Sequence, residues 1–141
     1  MTGLVLAMLA AASSGVAASP VKNLQIVVAG LRNNSGKVVC TLWHSAQGFP
    51  RDDTNAQTTS VPIENRSATC SFPALPAGAY AAVAYHDENN NGKFDTNWMG
   101  LPLEGYGFSN NVSISWRPPN FKEAGFHYDG AKQQITIRIK Y

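Results

Sequence analysis

Charge is scarce in this chain. Asp, Glu, Lys and Arg make up 14% of 141 residues and the formal net charge is only +2. The basic residues are scattered, so the clustered basic patch that nucleic-acid binding requires is missing. Cysteine is limited to Cys40 and Cys70, with no Cys-x-x-Cys spacing to make a redox-active pair. The histidines, His44, His86 and His127, are too far apart in sequence to show metal-ligand spacing. A zinc or copper site built from them is an alternative that only imidazole chemistry supports. There is no Gly-x-Ser-x-Gly elbow, no His-Glu-x-x-His pair and no phosphate-cradling glycine loop. The one acid/base set is His86, Asp87 and Glu104, and neighbours on a strand point to opposite faces. A hydrolase using His86 is therefore kept as an alternative, and the chain is read as a non-enzyme with no catalytic residues.

Long apolar runs are also lacking, except at Leu4 to Ala12. That run is shorter than the ~20 residues needed to span a bilayer. Small residues follow it, and Val16-Ala17-Ala18 offers the side chains a signal peptidase reads. No Lys or Arg precedes it, a departure from the usual basic start of such a leader. Residues 1–18 are expected to be a cleaved secretion signal, and residues 19–141 one domain, enough chain for a single core. The mature protein is expected to be exported, periplasmic or extracellular, without a membrane span, and a monomer.

Helical periodicity is the last absence. Beyond the leader no 3.6-residue pattern of useful length occurs, and "FKEAGF" can hold one helical turn. Strand patterns occur instead. "LQIVVAG" and "KVVCTLWH" are rich in β-branched and aromatic residues and are separated by "LRNNSG", which predicts a hairpin. "ATCSF", "GAYAAVAYHD", "NVSISW" and "QQITIRIKY" add further strands, the last alternating Ile135, Ile137, Ile139 and Tyr141 against Thr136, Arg138 and Lys140. In "NVSISW" the alternation puts Trp116 with Val112 and Ile114 on a buried face. Short alternating strands with Gly/Pro-rich turns predict an all-β, antiparallel sandwich. Cys40 shares a face with Val38 and Leu42, and Cys70 with Ala68 and Phe72, so both point inward. In an exported chain that pair predicts a disulfide, with two buried free thiols as the competing reading.

What is present stands out against this background. "HDENNNGKFD", His86 to Asp95, concentrates oxygen-bearing side chains, and Asp87, Glu88, Asp95 and Glu104 against Lys93 give a local net charge of −3. A calcium loop supplies acceptors at positions 1, 3 and 5, a glycine at 6, a main-chain carbonyl at 7 and a direct or water-mediated ligand at 9. Asp87, Asn89, Asn91, Gly92, Lys93 and Asp95 fill those positions in order. Position 12, usually Glu, is Trp98, and strand or loop flanks the motif, so this is an acceptor loop on a β scaffold rather than an EF-hand. Glu104 in "PLEGYG", or water, is the expected replacement for the missing carboxylate. Two neutral Asn ligands predict weak affinity for Ca2+, with Mg2+ disfavoured by its stricter octahedral shell. The alternative is an Asx-rich turn whose side chains bond their own backbone.

The following "GLPLEGYGFSNN" is glycine-rich and is expected to fold back, bringing Glu104, Asn110 and Asn111 towards the ion, or to plug the core edge with Tyr106 and Phe108. Trp98 is the best candidate for an exposed contact, with Tyr106 beside it, and exposed aromatics suit a protein or polysaccharide partner. The expected role is thus a structural or binding module, with small-ligand or polysaccharide binding as the alternative.

From Leu24 to Tyr141 the chain resembles the DUF2141 family of exported bacterial proteins. The resemblance is carried by "LPAGAYAAVAYHDENNNGKFDTNWMGLPLEGYGFSNN", "PPNFKEAGF" and the closing "ITIRIKY". It implies a β-sandwich of prealbumin-like or carboxypeptidase-regulatory-like type. It implies no activity, substrate or catalytic residue, and the Cys40/Cys70 pair is not part of it.

Overall fold

A computed structural model describes residues 22–113 and 116–141. The expected secretion signal, residues 1–18, lies outside the described residues, as do Ile114 and Ser115 of the expected "NVSISW" strand. The elements, in order, are β1 (Asn23–Ala29), β2 (Lys37–Trp43), β3 (Ala56–Pro62), β4 (Ala68–Pro73), β5 (Gly78–Asp87), β6 (Tyr106–Phe108), α1 (Phe121–Ala124), β7 (Phe126–Tyr128) and β8 (Lys132–Arg138). Among the described residues no helix is long and apolar enough to cross a membrane.

Two sheets pack face to face, as the alternating patterns require. One has the order β4-β1-β8 and the other β3-β2-β5-β6, with β7 paired to the start of β5. β1 alternates half-buried and buried positions, and its buried set, Leu24, Ile26 and Val28, faces the core. β2 is buried almost throughout because it lies between β3 and β5. Cys40 on β2 and Cys70 on β4 are both fully buried and form a disulfide that ties one sheet to the other. Trp43, Phe49, Phe108 and Phe121 build a smaller aromatic cluster on the outer side of β5, with ring centroids 5.2 to 6.3 Å apart.

Three expectations are corrected. β1 and β2 do not form a hairpin: β1 pairs with β4 and β8, while β2 pairs with β3 and β5. The turn composition of "LRNNSG" serves equally well to carry the chain across the sandwich, because both strands own a buried face that must meet the other. Gly36 makes the crossing feasible. Its φ is +70°, and a Cβ there would collide with the main chain of Asp87 and Glu88.

The all-β sandwich forms, but its pairing is not uniformly antiparallel, since β1 and β8 run parallel in register from Asn23↔Lys132 to Ala29↔Arg138. Parallel neighbours need a long crossover, and the whole of β2 to β7 supplies it.

The third correction concerns "NVSISW". Asn111 lies in a short 3-10 turn, Val112 and Ser113 are outside any strand, and Trp116 is 90% exposed rather than buried. Asn111 uses its side chain instead: Oδ1 accepts the N–H of Arg138 at 2.8 Å and Nδ2 donates to the carbonyl of Thr136 at 3.2 Å. A carboxamide thus takes the place of a strand peptide along β8 and blunts its open edge. Asn110 is likewise committed elsewhere, donating to the Gly125 carbonyl at 2.6 Å. Both side chains are held by α1 and β8 rather than brought to the acidic loop.

Candidate metal centre

β5 is the strand that positions the site, and it ends in His86 and Asp87, both with no exposed surface. His86 Nε2 donates to the Ser35 carbonyl and Nδ1 meets the Tyr141 hydroxyl, each at 2.7 Å. A carbonyl only accepts, so Nε2 carries a proton, and neither ring nitrogen is left to bind a metal or act as a base. His44 and His127 are exposed. Among the described residues no three His, Cys, Asp or Glu side chains are grouped as a ready-made metal site. The histidine site and the His86 hydrolase therefore have no geometry behind them.

Asp87 turns the chain. Its Oδ1 accepts from Asn91 N at 3.1 Å and its Oδ2 from Gly92 N at 2.8 Å, while Lys37 Nζ lies 3.9 Å from Oδ2. Successive N–H groups gathered on one carboxylate force a tight reversal, and Asn90 and Gly92 take left-handed φ of 58° and 74° to make it. The reversal places Asn89, Asn91 and Asp95 side by side. Asn89 Nδ2 donates to Asp95 at 2.8 Å, Asn91 Nδ2 donates at 2.9 and 3.0 Å, and Asn91 Oδ1 accepts Lys93 N at 2.9 Å. These amide donors, first Asn91 and then Asn89, hold the Asp95 carboxyl below its ordinary range.

The return of the chain brings in Glu104. Phe94 packs between Tyr85 and Tyr106, with centroids 5.4 Å from each, and anchors the loop on the sheet. A narrow finger follows, closed by Leu103 N to the Asp95 carbonyl at 2.9 Å and by a bridge between Thr96 and Pro102. Glu104 at its base is 7% exposed, and its Oε2 accepts Asp95 N at 3.1 Å. Its Oε1 is buried without a hydrogen-bond partner among the described residues. Burial, followed by the charges of Asp95 and Asp87, pushes the Glu104 carboxyl up to about 7 against the pull of the Asp95 N–H.

These bonds bring Asp87, Asn89, Asn91, Asp95 and Glu104 into one region, and Lys93 joins it through its main-chain N–H to Asn91 Oδ1. Glu88 is instead paired with Arg32 and accepts Asn33 Nδ2 at 3.2 Å. Burial pushes its carboxyl up, but the Arg32 and Asn33 bonds outweigh that and leave it lowered. Trp98 at the fingertip is 91% exposed, and Met99, Leu101 and Leu103 beside it are more than half exposed. Tyr106 is half-buried and Phe108 buried, so both serve the core edge as expected.

Sequence reasoning missed Arg32, Lys140 and Tyr141. Arg32 and Glu104 line both an open cleft of about 290 Å³ over Asn89 and Asp95 and a neighbouring one of about 620 Å³ towards Lys140 and Tyr141. Nothing local in the sequence signals Arg32, because the sheet crossing alone carries it there.

No curated protein and no solved structure matches the chain. A family model described as "Uncharacterized protein conserved in bacteria" matches residues 26–136, a span that takes in the disulfide, the acceptor loop and Glu104. On that match the chain belongs to the DUF2141 family.

Proposed function

We propose that this is an exported β-sandwich module in which a weakly bound calcium ion fixes the 87–95 loop and the surface around that loop makes the protein's contacts. The observation that carries the reading is the Glu104 carboxylate, buried beside two other carboxylates with Oε1 unpartnered. A buried charge without a partner is costly, and a hard cation is the partner that would relieve it. The hydrogen-bonded loop is one turn of two amides away from an acceptor shell. Rotating the Asn89 and Asn91 carboxamides by half a turn presents oxygen where N–H now meets Asp95, at the cost of the Lys93 N–H bond to Asn91 Oδ1 and the Asn91 N–H bond to Asn89 Oδ1, which the ion must offset. The cation then replaces their N–H groups as the counter-charge of Asp95. The inter-sheet disulfide supports an oxidising, calcium-rich location outside the cytoplasm.

Calorimetric titration of the purified domain with calcium tests the reading. Saturable heat with a dissociation constant in the micromolar to millimolar range is expected, and Asp95→Ala and Glu104→Gln should each remove it. No heat at 10 mM calcium would sink it.

A further inference from the structure

Resting on that calcium reading, we propose that the larger cleft beside the loop binds an acidic saccharide, a chain of uronic acid units whose carboxylate completes the ion's shell. The loop and Glu104 supply six residues, whereas calcium takes six to eight oxygens, and position 12, which usually gives two, is the exposed Trp98. The shell therefore has room for oxygens from a ligand. Glu104 lines both clefts, so the loop and a ligand in the larger cleft would share this residue as a common wall.

The lining selects the ligand's chemistry. The cleft holds about 620 Å³, within the ~300–1,000 Å³ usual for small-ligand sites. Tyr106, Tyr141 and Leu103 line it with aromatic and aliphatic carbon against which the C–H groups of a sugar ring can pack, and Ser113 also lines it. The charge is graded. Arg32 is shared between Glu88 and the face of Tyr141, 4.6 Å from the ring centroid, whereas Lys140 has no carboxylate partner among the described residues. Lys140 is thus left to pair a ligand carboxylate that the ion does not hold.

The experiment is calorimetry with the full domain and trigalacturonic acid, in calcium and in chelator. Binding in calcium only is expected. The fully methyl-esterified trisaccharide should not bind, and Lys140→Glu should weaken binding at least 10-fold while leaving the calcium titration unchanged. Lys140→Glu is a fair probe because the Lys140 side chain is exposed and its main chain alone makes the bridge to Tyr106. Calcium heat without any saccharide heat at 5 mM would overturn this proposal and leave the calcium reading standing. Equal binding of the methyl ester, or stronger binding of tri-glutamate than of the saccharide, would also overturn it, the latter pointing to a protein partner. Absence of calcium heat would overturn both.

Discussion

The main-chain N–H of Asp95 donates to Oε2 of Glu104 at 3.1 Å, so the base of the finger is closed on a carboxylate whose other oxygen has nothing to bond. Burial and the charges of Asp95 and Asp87 push this group from its ordinary 4.5 to about 7. Between those values the folded chain holds a proton that the unfolded chain has released, so without calcium, stability should fall as pH rises through that window. With calcium the fall should disappear, because the bound ion keeps Glu104 ionised in the folded chain as it already is in the unfolded one. Melting temperatures at half-unit pH steps, in chelator and in calcium, check both arms. Glu104→Gln should flatten the fall in chelator, and a wild type insensitive to pH in chelator would contradict the assigned environment.

Calcium at 100 times its dissociation constant should stabilise the domain by about 2.7 kcal/mol, which is roughly 10 °C in melting temperature for a chain of this size. Asp95→Ala should erase the difference between calcium and chelator. Asp87→Ala should erase it too and lower the chelator value as well, since Asp87 also caps the N–H groups of Asn91 and Gly92. Differential scanning calorimetry of wild type and the two variants, each in calcium and in chelator, reads all six combinations.

Breaking the Cys40–Cys70 bond, which spans 30 residues, should cost about 3 to 4 kcal/mol by the loop-entropy relation. Urea unfolding of the Cys40→Ala/Cys70→Ala double variant against wild type gives the value. A difference below 1 kcal/mol would mean that the two sheets are held in register by packing alone.

The tryptophans should separate cleanly. Trp43 is buried against Phe49 with its indole N–H donated to the Asp52 carbonyl at 2.9 Å, and Trp43→Ala should cost about 3 to 5 kcal/mol. Trp98→Ala should change stability by less than about 0.5 kcal/mol, since the side chain is almost wholly exposed. Paired thermal melts decide this, and acrylamide should quench Trp98 far more strongly than Trp43.

Much of the site was legible because it is local. The spacing of Asp87, Asn89, Asn91, Gly92 and Asp95 falls within nine residues, and side-chain-to-backbone bonds over so short a span depend on little else. Glu104 was reachable as the next carboxylate along the chain. Arg32, Lys140 and Tyr141 were not, because they arrive from β1's exit and β8's tail, and no spacing rule links them to Glu104 across the 72, 36 and 37 positions that separate them. Trp116 misled for a related reason: alternation over a few residues describes a surface that a sheet can bury, but not whether a sheet is there to bury it.

Composition and alternation alone determined that this chain would form strands, bury Cys40 and Cys70, and gather oxygens after β5, since each depends on neighbours within a few residues. Tertiary structure decided that β1 and β2 lie in opposite sheets, that β8 runs parallel to β1, and that Glu104 loses its solvent while its Oε1 gains no partner among the described residues. Such outcomes turn on which buried faces meet and how much water they exclude. Those are properties of the packed whole, where long-range contact sets the desolvation of each charge.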